Sequence, residues 1–150
     1  MIDSRTQIGV VHLNCANLER LADFYQNILG FRLLRREGNS AWLGTSRTEV
    51  VDQGQALLIL TQVKDGQRRQ GTTGLYHFAV LVPSRRELAR LIVRTIQAGA
   101  AVEGFADHGV SEALYLADPE GNGVEIYRDR PRQEWPIDTN GHLRMVTEPL

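Results

Sequence analysis

Apolar and polar residues follow one another in the same order in two long stretches of the chain. In each stretch a short apolar segment precedes an amphipathic segment, and three more short apolar segments follow. Helical spacing of apolar positions, closed by Gly30 and Gly99, predicts helices over Leu18–Leu29 and Glu87–Ala98. The predicted strands are Ile8–Leu13, Phe31–Arg35, Ala41–Gly44, Ala56–Thr61, Leu75–Val82, Val102–Phe105, Glu112–Leu116 and Gly123–Tyr127.

This order predicts an internal duplication of a βαβββ module. His12 and His77, each in the first strand of its copy, lie 65 residues apart. A module that cannot bury its sheet face alone is typical of repeated architectures. We therefore expect one α+β domain built from two βαβββ modules. Module one covers about residues 7–63, module two about 73–130, and a C-terminal tail covers 131–150.

Composition and charge narrow the class of protein. The 150 residues are 42% hydrophobic and 23% charged, the usual mixture of a globular domain. A net charge of −1 argues against nucleic acid or an anionic membrane as the main partner. The single cysteine, Cys15, excludes an internal disulfide framework. The sequence has no signal-peptide pattern and no apolar run of about 18 residues, so a cytoplasmic location is expected.

Three titratable residues interrupt apolar strands and are candidate metal ligands. His12 and His77 occupy equivalent first strands, and Glu125 lies on the last strand of module two. An ionised carboxylate is costly to bury unless it is paired or bound to a cation. Two imidazoles and one carboxylate form a facial triad, which leaves positions open for substrate and oxygen. Taken singly, each residue has a plain alternative as a hydrogen-bonded core or surface side chain.

The turn before Glu125 identifies a further candidate. Asp118–Gly123 contains a proline and two glycines, the composition of a tight connection between two strands. Such a hairpin fixes the register of Glu125 relative to Tyr115, which lies ten residues upstream. Tyr115 is therefore a predicted neighbour of Glu125, with a packed strand aromatic as the alternative.

Two motifs resemble the vicinal oxygen chelate superfamily, which includes glyoxalase I, extradiol dioxygenases, fosfomycin resistance proteins and bleomycin-binding proteins. Phe24-Tyr25 followed by Leu29–Phe31 is similar to the end of the family's first helix. Asp118–Asn122 before Val124–Ile126 is similar to its last hairpin. The likeness runs from about residue 7 to 130, and it implies a curved mixed sheet around a metal cup.

Further segments are similar to the catechol 2,3-dioxygenase-like branch. These are Gly74–Ala79, Asp107–Tyr115 and the stretch from Asp129 to Pro136. The resemblance implies that the triad holds a divalent metal, Fe(II) first, with Mn(II), Ni(II) or Zn(II) as alternatives. It also implies that His108 and Tyr115 face a catecholic substrate and act in catalysis.

The chain departs from the family pattern at two places in module one. Glyoxalase I has a fourth ligand, a glutamate on the last strand of that module. Counting from His12 by the spacing between His77 and Glu125 leads to Leu60, which is not a carboxylate. The acid–base histidine that extradiol enzymes carry in the same region is also missing, which leaves His108 as the candidate for proton transfer.

The resemblance implies an Fe(II)- or Mn(II)-dependent extradiol-type dioxygenase that takes dioxygen and a small molecule with two adjacent oxygens. A glyoxalase-like isomerase or thiol transferase on the same ligands is the second hypothesis. A non-catalytic binding protein of the bleomycin-resistance kind is the third. A homodimer is expected, and the chain is either a complete short protein or the first half of a longer one.

Overall fold

The computed structural model describes residues 2–3, 5–6, 8–45, 56–67, 71 and 74–150 of the chain. Two compact units are present, Met1–Gly71 and Thr72–Leu150. In each of them one helix packs on a four-stranded sheet. Neither of the helices in the described ranges is long and apolar enough to cross a lipid bilayer.

The first unit has the order β-α-β-β-β. Its elements are β1 (Val11–Cys15), α1 (Leu18–Asn27), β2 (Arg32–Glu37), β3 (Ser40–Gly44) and β4 (Leu58–Gln62). The strands lie in the order β1-β4-β3-β2, with β1 parallel to β4 and the other pairs antiparallel. The parallel pair consists of the first and the last strand of the module. The helix carries the chain across the sheet from β1 to β2, so that β1 is left beside β4.

The second unit repeats this topology. Its elements are β5 (His77–Leu81), α2 (Arg85–Gln97), β6 (Val102–Asp107), β7 (Ser111–Ala117) and β8 (Gly123–Asp129). The strand order is β5-β8-β7-β6, again with one parallel pair, β5 and β8. A short 3-10 helix, Arg132–Glu134, follows β8. The predicted α+β fold of two βαβββ modules is confirmed.

Side-chain caps set where both helices begin. The Asn17 side chain accepts a hydrogen bond from the Arg20 amide at 3.0 Å, and Ser84 Oγ accepts one from the Glu87 amide at 3.2 Å. Each cap satisfies an amide that the first helical turn leaves without a backbone partner. Helix α2 consequently begins at Arg85, directly after its cap, two residues earlier than the apolar spacing alone predicts.

The first strand of each unit begins later in the chain than the apolar residues predict. Strand β1 begins at Val11, because its partner β4 begins at Leu58, and Ile8 is 97% exposed. Strand β5 begins at His77, opposite Gly123 at the start of β8. Within the described ranges, the apolar residues before these points pair with no strand, so they are not part of the sheet there.

The two faces of the second sheet differ in composition. Leu114 and Leu116 of β7 and Val124 and Ile126 of β8 are fully buried on the face that α2 covers, together with Leu88 of the helix. The residues between them point to the opposite face, because side chains alternate along a strand. This opposite face carries three of the side chains predicted to form the site, those of His77, Tyr115 and Glu125.

Candidate functional site

The hairpin between β7 and β8 fixes the centre of the candidate site. Asp118 is buried, and its Oδ1 accepts hydrogen bonds from the amides of Glu120 and Asn122 at 2.9 Å each. Gly121 has φ +78°, which a residue with a side chain rarely adopts. This turn holds the register in which Tyr115 lies directly opposite Glu125. Tyr115 and Glu125 are thus neighbours, as the hairpin in the sequence predicts.

Four side chains of the second unit form a continuous series of contacts, here called the contact chain. His108 Nε2 lies 2.9 Å from the Tyr115 hydroxyl oxygen, and that hydroxyl donates to Glu125 Oε1 at 2.9 Å. Glu125 Oε2 lies 3.1 Å from His77 Nε2. The Glu125 side chain is only 14% exposed, whereas that of His77 is 31% exposed. The structure thus brings four of the five predicted site residues together.

The fifth predicted site residue, His12, belongs to the first unit. Its Nε2 lies 2.8 Å from the hydroxyl of Thr61 on β4, and that hydroxyl lies 2.8 Å from the hydroxyl of Ser40 on β3. Within each unit, no three His, Cys, Asp or Glu side chains of the described ranges are grouped as a metal site.

The strand register shows which residue of module one is equivalent to Glu125, and it differs from the residue found by counting along the sequence. Glu125 pairs with Ala79, two residues after His77. In the first sheet the residue opposite the position two after His12 is Thr61, since Asn14 pairs with Thr61. Counting along the chain led to Leu60 because it assumed equal spacing, but the separation is one residue longer in module one. The conclusion that no carboxylate stands there is unchanged.

Burial and charge act on the phenol of Tyr115. Desolvation by burial, followed by the hydrogen bond and the charge of Glu125, raises the pKa of Tyr115 to about 12. Each of these influences disfavours the phenolate. Tyr115 is therefore protonated at neutral pH, which agrees with its role as a donor to the Glu125 carboxylate.

His77 and Glu125 have the chemistry and the spacing of two metal ligands. An imidazole nitrogen and a carboxylate oxygen that bind one metal at about 2.1 Å and at right angles lie about 3 Å apart. The Nε2 and Oε2 atoms of this pair are 3.1 Å apart. The pair therefore fits a divalent metal, and His12 stays the predicted third ligand.

Gly123 permits β5 to approach β8 beside the ligand pair. A Cβ at this position would lie 2.2 Å from the backbone oxygen of Tyr76 and 2.9 Å from the Cβ of His77. We expect Gly123→Ala to displace β5 and to lower the free energy of unfolding by about 1–3 kcal/mol. Urea denaturation measures this loss. Gly104→Ala on β6 is the matched control, because a Cβ there meets nothing within 4 Å. An equal effect of the two substitutions would contradict the role of Gly123.

The helix-covered face of the second sheet carries a buried charge cluster that was not predicted from the sequence. Glu112 is 1% exposed and contacts three arginines at 2.8 to 3.0 Å: Arg85, Arg128 and Arg130. The available signal was the pair of opposite charges at facing positions of the predicted hairpin, Glu112 and Arg128. Val146 and Thr147 lie beside His108 and were not predicted either, because no local pattern in the sequence indicates their contact with it.

Comparison with known proteins gives matches over nearly the whole chain. Residues 7–126 match the family model described as Glyoxalase/Bleomycin resistance protein/Dioxygenase superfamily. A catechol-2,3-dioxygenase of Bacillus subtilis (strain 168) is 43% identical over 148 residues, which are 97% of this chain and 50% of that protein. The chain thus spans half the length of this relative.

A second curated relative is matched over most of its own length. The lactoylglutathione lyase of Neisseria meningitidis serogroup A is 32% identical over 79% of this chain and 87% of that protein. Among solved structures, a glyoxylase/bleomycin resistance protein/dioxygenase domain from Frankia sp. EAN1pec aligns with a TM-score of 0.66. It is 22% identical, and the alignment covers 85% of this chain and all of that chain. The likeness to this structure concerns the fold alone.

Proposed function

Because the chain belongs to the glyoxalase/bleomycin resistance protein/dioxygenase superfamily, we propose that it is a divalent-metal-dependent dioxygenase of the extradiol type. Its substrate would be a catechol or a related small molecule with two adjacent oxygens. The observation that carries the proposal is the contact chain, in which a ligand pair, a phenol and an imidazole follow one another within hydrogen-bond distance. The 43% identity to a catechol-2,3-dioxygenase supports this choice among the family's reactions.

The ligand pair supplies the metal end of the site. His77 and Glu125 are the proposed ligands from the second unit, and His12 is the proposed ligand from the first. Fe(II), when bound, supplies the redox chemistry by which dioxygen opens an aromatic ring, and Mn(II) is the predicted substitute. Glu125 also accepts a hydrogen bond from the Tyr115 hydroxyl through its other oxygen, so the same carboxylate orients both groups.

Tyr115 and His108 supply hydrogen bonds beside the metal end. The Tyr115 phenol is kept protonated by burial and by Glu125, so at neutral pH its hydroxyl donates to the Glu125 carboxylate. His108 follows Tyr115 in the contact chain, with its Nε2 atom 2.9 Å from the Tyr115 hydroxyl oxygen. In this proposal the two side chains orient the substrate oxygens, and His108 exchanges a proton with the substrate.

Oxygen consumption tests the proposed reaction. The protein is loaded with Fe(II) without air and then mixed with a panel of catechols in an oxygen-electrode cell. We expect oxygen uptake together with a yellow ring-opened product, and an equal amount of Fe(II) without protein is the control. Absence of both signals over the whole panel would reject the dioxygenase proposal.

A glyoxalase-like isomerase is the second candidate, because the lactoylglutathione lyase of Neisseria meningitidis is matched over 87% of its length. The first-module position that corresponds to Glu125 is Thr61, whereas the family resemblance implies a glutamate there in glyoxalase I. This departure favours the dioxygenase. Formation of lactoylglutathione from methylglyoxal and glutathione with Ni(II) or Zn(II), without oxygen uptake, would favour the isomerase. Ligand binding without either reaction would favour the non-catalytic binding protein.

A further inference from the structure

His108 lies between Tyr115 and a segment that returns to β6, here called the return segment (residues 144–148). Asp107 and Glu148 form an antiparallel bridge, with the Asp107 amide donating at 2.7 Å and the Glu148 amide at 2.9 Å. This bridge brings Val146 and Thr147 beside the imidazole of His108. The Nδ1 atom lies 3.3 Å from the Val146 carbonyl oxygen and 3.2 Å from the Thr147 hydroxyl.

The partners of Tyr115 favour a hydrogen on Nε2 of His108. An ionised carboxylate only accepts hydrogen bonds, so the single hydroxyl hydrogen of Tyr115 goes to Glu125. The Tyr115 oxygen is then an acceptor toward His108. The 2.9 Å contact between His108 Nε2 and the Tyr115 oxygen is therefore a hydrogen bond when Nε2 carries the hydrogen.

The same reasoning restricts the partner of Nδ1. A neutral imidazole with a hydrogen on Nε2 has a lone pair on Nδ1 and needs a donor there. The Val146 carbonyl only accepts, whereas the Thr147 hydroxyl can donate. Of the two groups that face Nδ1, only Thr147 suits the tautomer that Tyr115 favours.

We propose that Thr147 is a positioning residue that holds neutral His108 in the tautomer with its hydrogen on Nε2. The hydroxyl of Thr147 donates to Nδ1, and His108 consequently presents an N–H group toward the Tyr115 oxygen. The consequence for catalysis rests on the proposed function, whereas the tautomer itself does not.

Removing only the hydroxyl tests this proposal. Thr147 is exposed, so Thr147→Val keeps the shape of the side chain without disturbing a core. In Thr147→Val, the acceptor that remains beside Nδ1 is the Val146 carbonyl, which favours a hydrogen on Nδ1. Thr147→Ser keeps a hydroxyl and is the matched control.

The readout is the nitrogen-15 NMR shifts of the histidine rings at about pH 8.5, well above the ordinary histidine pKa of about 6.5. The His108 signals are assigned as those that disappear in His108→Asn. We expect a hydrogen on Nε2 in the parent and in Thr147→Ser, and a shift toward a hydrogen on Nδ1 in Thr147→Val. An unchanged tautomer in Thr147→Val, or a hydrogen on Nδ1 in the parent, would overturn the proposal.

Kinetics provide a second and separate readout. Turnover of the catechol in Thr147→Val is expected to fall about two- to tenfold, the range of one net hydrogen bond. KM is expected to stay within about twofold, because a group that acts through His108 affects the chemical step more than binding. Thr147→Ser is expected to restore turnover. If the parent turns over no catechol, the proposed function fails, while the tautomer measurement still decides the role of Thr147.

Discussion

Replacing Glu125 by Gln is expected to lower both the bound metal and the catechol turnover by at least about 100-fold. Loss of a group that only supports a metal ligand costs about 10- to 100-fold in metal affinity or activity. Loss of the charged ligand itself should cost at least as much. The glutamine amide keeps an oxygen that can accept the Tyr115 hydroxyl, so the hairpin is expected to retain its register.

Metal analysis after dialysis and oxygen uptake measure the two effects of Glu125→Gln. Glu103→Gln is the matched control, because Glu103 lies exposed on β6 of the same unit. His12→Ala, measured in the same way, addresses the ligand predicted in the first unit. Full metal content in Glu125→Gln would exclude this carboxylate as a ligand, and full content in His12→Ala would exclude the histidine.

Replacing Glu112 by Gln is expected to lower the free energy of unfolding by about 3–5 kcal/mol. The carboxylate is buried and faces Arg128, whose side chain is 11% exposed, as its direct partner across β7 and β8. Removing one charge of a buried pair leaves the other without compensation, which is the costly case. The free energy of unfolding of a domain is only about 5–15 kcal/mol, so this one substitution would remove a large part of it.

The effect of Glu112 is expected to depend on pH. Burial raises the pKa of this carboxyl, but hydrogen bonds and charges from Arg128 and Arg85 lower it by more, so its pKa lies below the ordinary value. A carboxyl whose pKa is lower in the folded state stabilises the protein above its unfolded pKa, about 4.3, and this contribution is lost as pH falls through the folded value. The stability difference between the parent and Glu112→Gln should therefore narrow as the solution is acidified below that range.

Urea denaturation at neutral pH and below about pH 4 measures both parts of this prediction. Glu37→Gln is the control for a surface ion pair, because Glu37 and its partner Arg35 are 63% and 38% exposed. An exposed pair contributes less than about 1 kcal/mol. A loss for Glu112→Gln that matches this control, or that is constant with pH, would contradict the buried-pair interpretation.

The fold could be predicted because its signals are local and occur twice. The periodic apolar positions of α1 and α2, with Gly30 and Gly99 behind them, mark both helices. The repeat then predicts the same topology for both halves. The ends of the strands were harder to predict from the sequence, because Ile8 is apolar and yet pairs with no strand among the described residues. An apolar side chain indicates burial, but only a neighbouring backbone makes it part of a sheet.

The candidate site could be predicted as far as the hairpin reaches. The turn at Asp118–Gly123 links Tyr115 to Glu125, so their adjacency follows from the sequence. The contacts of His108 with Val146 and Thr147 join residues 38 and 39 positions apart through an irregular segment, and periodicity contains no information about such a segment. The choice of Leu60 in place of Thr61 shows the same limit, because one additional residue between two strands changes the face on which a side chain lies.

The series from His12 through Thr61 to Ser40 repeats the connectivity of His77, Glu125 and Tyr115 at the same register positions. The second series contains the Glu125 carboxylate, whereas the first has the Thr61 hydroxyl in its place. His12 can therefore serve as an internal control for His77, because the two histidines occupy equivalent positions of their sheets. An effect on the ring that arises from sheet geometry should appear at His12 and His77 alike. An effect that arises from the carboxylate should appear at His77 alone, so comparing the NMR signals of the two rings in one sample separates the two.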